Sequence, residues 1–251
     1  GKNILPILEK IVSINIYSLA EGKCKYNLIC NDAGGIIDDT IISRLNPDFY
    51  SLVVNAVNAT QVTNWIEKHG GDESNMAIKT YDTSMIAVQG PKSNDVINKL
   101  SKTPINIGRF SIIETKLSGI QCLVSRTGYT GEDGFEIICS SAKSNVLWQS
   151  LLDSGVTPCG LGARDVLRIE AGLPLHGNDI SESHNPFQSQ LHKFVSLHSE
   201  TYVAKKSLKK IKSMNLKNQL VGIKLTERGI PRKGHNIFID GSKQSKGSIT
   251  S

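Results

Sequence analysis

Apolar positions along the chain fall into short runs and helical stripes, broken at regular intervals by glycine. Tyr50, Val53 and Val54 read as the end of a strand. Val62, Trp65 and Ile66 fall on one face of a helix, with Asn58 placed to cap it and Gly70-Gly71 to close it. Met85-Ile86-Ala87-Val88 is a short apolar strand. Gly90-Pro91 then turns the chain into a helix that points Val96, Ile97 and Leu100 inward, since proline suits a first helical turn. Residues 109–116 and 119–125 alternate as two paired strands turned at Ser118-Gly119. Phe135 to Cys139 is a further strand. Val146, Leu147 and Leu151 mark a helix ended by Gly155, and Leu161 to Glu170 another closed by Gly172. Two more strands are expected at 219–225 and 236–239.

This order lacks the regular alternation of strand and helix that builds a doubly wound sheet, so the fold class is α+β in more than one module. The expected division is residues 1–80 with 169–212, residues 81–168, and residues 213–251. No repeat of 20–50 residues is visible. With 251 residues, 39% hydrophobic and 21% charged, the chain is too apolar to be disordered and long enough to bury a core. No apolar run approaches the roughly 18 residues of a membrane span, so a membrane protein is not expected. The opening Gly1-Lys2-Asn3-Ile4-Leu5-Pro6 carries neither a basic n-region nor an apolar h-region.

The net charge of +6 favours acidic partners. The five cysteines, at 24, 30, 122, 139 and 159, include no Cys-x-x-Cys pair, so free buried thiols are expected rather than a zinc or disulfide framework.

Three segments hold candidate chemistry. In Gly34-Gly35-Ile36-Ile37-Asp38-Asp39, adjacent carboxylates on a strand point to opposite faces, and one can face a pocket. A hairpin with ordinary exposed acids is the simpler reading of that segment alone. In Ser125-Arg126-Thr127-Gly128-Tyr129-Thr130-Gly131-Glu132-Asp133-Gly134-Phe135-Glu136, glycines at spacing three make a tight loop before a strand. A phosphate loop would open a helix instead, so nucleotide-phosphate binding is disfavoured. Tyr129 could stack on a flat ring, and Glu136 could accept paired N–H groups from one; a well-made hairpin loop is the alternative. In the third segment, Gly160 to Gly172, Arg164 and Arg168 share a helix face. An arginine near a helix start opposes the dipole unless an anion is present, which hints at a carboxylate ligand; a surface ion-pair network is the alternative.

The six histidines show no metal-ligand spacing, although His176, His184 and His192 are eight apart, and no metal is expected. Lysines between 205 and 217 alternate with Leu208 and Ile211 as a basic amphipathic helix. That is either a solvated face or a dock for an acidic partner. Only Tyr202 supplies an aromatic nearby, so no nucleic-acid platform is expected.

Taken together and in this order, the segments resemble the glycine cleavage system T-proteins, the aminomethyltransferases. The resemblance is carried by Gly34-Gly35-Ile36-Ile37-Asp38-Asp39, Val53-Val54-Asn55-Ala56, Ala87-Val88-Gln89-Gly90-Pro91 and Thr127 to Glu136. It continues through Gly162-Ala163-Arg164-Asp165, Glu170-Ala171-Gly172 and Gly177-Asn178-Asp179. It implies transfer of the aminomethyl carbon from the dihydrolipoyl arm of H-protein to tetrahydrofolate, the acceptor substrate, releasing ammonia and giving 5,10-methylenetetrahydrofolate. It also implies a folate site between three modules, the last a β-barrel, with no metal, in a monomer of the bacterial cytoplasm or the mitochondrial matrix. By the resemblance, Asp39 is the catalytic carboxylate, Glu136 binds the pterin, Arg164 binds substrate, Tyr26 and Tyr129 line the pocket, and Val53 supplies pocket backbone.

Departures are visible. The family's usual Leu-Tyr-Gly is Leu175-His176-Gly177 here, and its Phe-Ile-Gly-Lys is Tyr202-Val203-Ala204-Lys205. The family's chain also starts some ~55 residues earlier and runs ~60 further, a module's worth of core. The chain therefore reads as a fragment with a truncated C-terminal β-barrel, and exposed apolar surface is expected. The alternatives are a folate-binding superfamily member without transfer activity, or a fragment that only binds. The iron–sulfur maintenance type would carry a cysteine signature absent from Gly172 to Gly177, and the folate domain of sarcosine or dimethylglycine dehydrogenases would follow a flavin module with a GxGxxG fingerprint, which is absent.

Overall fold

Two antiparallel sheets organise the chain. The structure is a computed structural model that describes residues 3–72, 74–239 and 241–251. The first sheet has the order β1-β2-β3, formed by β1 (Lys23–Cys30), β2 (Ile36–Asn46) and β3 (Phe49–Val53). Helices α1 (Leu5–Ile11) and α2 (Ala59–Lys68) cover one of its faces, where Ile7, Leu8, Ile11, Val62 and Ile66 pack on Ile29, Ile37 and Ile42. Period-two alternation supplies the sheet side and a helical stripe supplies the cover.

The second sheet consists of β4 (Thr83–Gln89), β5 (Ile112–Leu117), β6 (Ile120–Ser125) and β7 (Gly134–Ser140), in the order β4-β7-β6-β5. Helices α3 (Ser93–Leu100) and α4 (Ser144–Asp153) bury Ile97, Leu147 and Leu151 against Val88, Val124, Phe135 and Ile137. Helix α5 (Leu161–Glu170) follows and buries only Arg168. Helix α6 (Lys205–Lys212) returns to the first sheet, where Leu208 and Ala204 meet Leu28, Cys30 and Ile36 on the face opposite α1. Gly34 permits this approach, since a Cβ there would lie 3.0 Å from both Leu208 and Ile211, and Gly35 admits a different segment, a Cβ there lying 2.0 Å from Glu182 O. The two sheets join where Cys24 N donates to Phe110 O (2.8 Å) and Ile112 N to Gly22 O (2.9 Å).

Several expectations change. Residues 219–225 form no strand, and the strand expected at 236–239 shortens to β8 (Asn236–Ile237), paired only with β9 (Gly247–Ser248). Val221, Ile223 and Leu225 are exposed, so their alternation has no core to face. The strand expected from residue 109 begins at Ile112, because Phe110 takes a positive φ of 54° and carries the chain across to β1. Asn58 precedes α2 but makes no side-chain cap, its amide being used elsewhere. The ion-pair network expected around Arg164 and Arg168 is only partly at the surface: Arg168 is buried and pairs both with the exposed Asp165 at 2.7 Å and with the buried Asp179 at 2.8 Å. Cys24, Cys30, Cys122 and Cys139 are free and buried, whereas Cys159 is exposed. On α6, Lys205 is buried and pairs with Glu200, while Lys206, Lys209, Lys210 and Lys212 face solvent.

Exposed apolar side chains gather on α5 (Leu161, Val166, Ile169) and along 221–239 (Ile230, Phe238, Ile239). Among the described residues, no helix is long and apolar enough to cross a membrane.

Candidate active site

The Gly34-Gly35 turn delivers the chain into β2 with one extra residue. Ile29 pairs with Asp38 and Cys30 with Ile36, leaving Ile37 as a bulge. A bulge bends a strand and re-aims the side chains beside it. Asp38 follows at once and is fully buried. It accepts from Asn55 N (3.0 Å), Asn55 Nδ2 (2.8 Å) and Asn58 Nδ2 (2.6 Å). Three N–H donors satisfy the acceptor capacity that a carboxylate loses on leaving water.

Asp39 is only partly buried. Tyr26 Oη donates to its Oδ2 at 3.0 Å, and Asn55 Nδ2 to its Oδ1 at 2.9 Å. Burial and then the neighbouring Asp38 push the Asp39 carboxyl above the usual range, opposed by those hydrogen bonds. Tyr26 sits on β1 edge-on to Phe194, with centroids 4.6 Å apart. Burial and Asp39 raise its phenol, which stays a donor. Val53 ends β3 opposite Ile41, two residues before the bridging Asn55.

The second part of the site is the loop between β6 and β7. Arg126 grips Asp133 with two bonds, Nε to Oδ1 at 2.9 Å and Nη2 to Oδ2 at 2.6 Å, which closes the loop ends. That hydrogen bonding holds Asp133 below the ordinary carboxylate range. Gly128 and Gly134 clasp Gln89 between them: a Cβ at Gly128 would lie 1.9 Å from its Oε1. Thr127 Oγ1 donates to Glu136 Oε2 at 2.6 Å, so Ser125 Oγ, 2.7 Å from Thr127 Oγ1, is the donor of that pair. Among the described residues, Glu136 Oε1 has no hydrogen-bond partner.

Tyr129 connects the two parts. Its hydroxyl donates to Pro174 O, and burial raises its phenol to about 12. Asp39 and Tyr129 act on one another electrostatically, as do Tyr26 and Tyr129. Arg164 lies over the Tyr129 ring, 4.7 Å from its centroid. It is exposed, and no carboxylate among the described residues pairs with it. Tyr26, Asp39, Tyr129 and Arg164 thus form one chain of contacts and fields. Glu136 contacts Thr127, two residues before Tyr129, and Val53 lies two residues before Asn55.

Sequence reasoning did not assign roles to Asn55, Asn58, Thr127 and His176. Asn55 and Thr127 lie inside the motifs quoted above, Asn58 read as a helix cap, and His176 stood out only as a departure. The three histidines eight apart go to separate partners: His176 to Asn58, His184 to Ser181 and His192 to the Phe187 ring. No group of three or more His, Cys, Asp or Glu among the described residues is placed to hold a metal ion.

The arrangement offers a perturbed carboxylate with a phenol beside it, a second carboxylate with one oxygen free, and an exposed guanidinium on an aromatic ring. It suits a flat, amide-bearing ligand with an anionic group and a proton to lose.

Comparison with known proteins identifies the family. The family described as GCVT N-terminal domain matches residues 1–199. An aminomethyltransferase of Halalkalibacterium halodurans is 36% identical over 249 residues, covering 97% of this chain and 68% of the relative. One of Staphylococcus epidermidis is 39% identical over 261 residues, covering 100% of this chain and 70% of the relative. The crystal structure of glycine cleavage system aminomethyltransferase T from Bartonella henselae superposes with a TM-score of 0.76 at 32% identity, over 84% of this chain and 59% of that one. The chain thus spans about two thirds of the length of its curated relatives and less of the solved structure.

Proposed function

The chain belongs to the GCVT family, and from that premise we propose that it transfers the aminomethyl carbon of lipoylated H-protein to tetrahydrofolate, releasing ammonia and forming 5,10-methylenetetrahydrofolate. The observation that carries the proposal is Asp39: a carboxylate raised by burial and by Asp38, only partly buried, and held by Tyr26 and Asn55. In the overall reaction, the carbon's bonds to lipoyl sulfur and to nitrogen break. Bonds to the folate N5 and N10 form, and the two protons these nitrogens give up leave with the thiol and the ammonia. Asp39 orients the folate beside these nitrogens and takes a proton in transit, which its raised affinity for protons favours. Most of the remaining work is positioning.

Glu136 is the pterin acceptor in this reading. Thr127 fixes one of its oxygens, and the other is free to accept from the ring. Tyr129 and Tyr26 line the pocket, Val53 offers backbone beside it, and Arg164 receives an anionic group of the substrate. Two of the proposed modules, 1–80 with 169–212 and 81–168, are supported by the first sheet's two clusters of buried side chains and by the separate cluster of the second sheet, and 213–251 is the third in this division. We propose a monomer that requires no metal, and the bacterial relatives favour the cytoplasm.

Calorimetric titration with tetrahydrofolate, for the chain and its Glu136→Ala variant, tests the binding half. A carbon-transfer assay with lipoylated H-protein, for the full-length protein and Asp39→Asn, tests the catalytic half. Folate binding that Glu136→Ala does not weaken would sink the pterin assignment. Transfer that survives Asp39→Asn would sink the catalytic one.

A further inference from the structure

His176 stands between β2 and the start of α2 and is tied to both. Its Nε2 lies 3.2 Å from Ile36 O, and its Nδ1 lies 3.0 Å from Asn58 Nδ2. A carbonyl oxygen only accepts, so Nε2 carries the proton and Nδ1 is the acceptor. Asn58 therefore gives one amide hydrogen to His176 and the other to Asp38 Oδ1, at 2.6 Å. Its orientation is forced. Turned over, the Asn58 carbonyl oxygen would face the Asp38 carboxylate and the Nδ1 lone pair, acceptor against acceptor at both contacts. Asp38, so anchored, shares the Asn55 amide with Asp39.

We propose that His176 is a positioning residue for the transfer reaction: through Asn58 it fixes Asp38, and through the shared Asn55 amide it holds the Asp39 carboxylate in one orientation. The proposal rests on the role given to Asp39 above. An imidazole serves Ile36 O and Asn58 from two separate ring nitrogens.

Three substitutions in the full-length protein separate the two contacts. His176→Asn keeps an acceptor near the Nδ1 position, His176→Gln reaches the Nε2 position and loses the acceptor, and His176→Phe loses both. The readouts are kcat for carbon transfer, KM for tetrahydrofolate, and the ring-nitrogen signals of ¹⁵N-labelled histidine. His176→Phe and His176→Gln are expected to lower kcat by about tenfold to a hundredfold. KM should stay within about twofold, because an interaction felt only in the transition state moves kcat alone. His176→Asn should recover most of the rate, which lost packing alone would not allow. The spectrum of the unsubstituted protein at neutral pH should show the Nε2–H tautomer.

A normal kcat in His176→Gln, beside an inactive Asp39→Asn, overturns the positioning role and leaves the active-site reading intact. So does an Nδ1–H tautomer. Full activity of Asp39→Asn overturns both. If His176→Phe fails to fold, the comparison of His176→Gln with His176→Asn decides.

Discussion

Asp38 and Asp39, consecutive on one strand, accept from the same nitrogen: Asn55 Nδ2 lies 2.8 Å from Asp38 Oδ1 and 2.9 Å from Asp39 Oδ1. Two carboxylates this close repel unless donors lie between them, and Asn55 is such a donor. Asn55 also gives its backbone N–H to Asp38 Oδ2 at 3.0 Å. Asp38 is buried and fully served, while Asp39 is only partly buried and its carboxyl is raised above the ordinary range. The pair is thus divided into an anchor and a group able to exchange a proton.

Asn55→Ala removes the common donor. It should cost about 2–3 kcal/mol at pH 7, the range for hydrogen bonds to charged groups. The penalty should shrink toward pH 4, where protonation relieves the repulsion. Denaturant midpoints at the two pH values measure both. An equal penalty at each would mean that packing, and not charge, is what Asn55 supplies.

Asp39→Asn should abolish carbon transfer and raise stability at neutral pH. The Asp39 carboxyl is raised in the folded state, so the folded protein holds its proton longer than the unfolded chain does. Stability from this group therefore falls as pH rises from the ordinary carboxyl value, ~3.9, through the raised folded value, and stays lower above it. The neutral amide avoids that loss, and a Tm higher by about 2–4 °C is expected at pH 7. The gain should vanish at acid pH. Thermal melts across pH 3 to 8 would refute the charge argument if the variant melted lower than the parent throughout.

Glu136→Ala should weaken tetrahydrofolate binding about tenfold to a hundredfold, the value of losing a charge-assisted contact. Thr127→Val should weaken it less, since Thr127 only orients the carboxylate through its bond to Oε2. Calorimetry ranks the two. A larger effect at Thr127 than at Glu136 would place the pterin on the threonine side of the loop.

Asp179→Ala should destabilise the fold by about 2–3 kcal/mol, because it leaves the buried Arg168 guanidinium with only its more exposed partner, Asp165. Burial opposes ionisation of Asp179, but bonds from Thr250, Leu175 N, Ser251 and Arg168 outweigh it and hold the carboxyl low. Its contribution is present above the ordinary carboxyl value and is lost as pH falls from there through the lowered folded value. Urea titrations at pH 7 and pH 3 should show a large penalty at the first and a smaller one at the second.

Much of the local structure was legible along the chain. Helices α2 to α5 and the hairpin turned at Ser118-Gly119 lie where apolar spacing and glycine place them, within a few residues. The expectation failed at 219–225, where alternation had no partner strand and no core, and at Asn58, where a good helix cap was drawn off to a carboxylate and a histidine. Both failures have one cause: local propensity yields when a tertiary contact offers a better partner or offers none.

The order of short motifs was enough to determine the α+β class, the family and the residues worth testing, because each motif is contiguous and its constraints act within a dozen residues. The tertiary structure alone decided which acid is the anchor and which is open, since that depends on donors brought from elsewhere. Asn55 lies 17 residues from Asp38, and His176 lies 118 from Asn58 and 140 from Ile36. Hydrogen bonds over such separations exist only after the sheet has bent at Ile37 and the later chain has returned to it. Neither periodicity nor spacing encodes them.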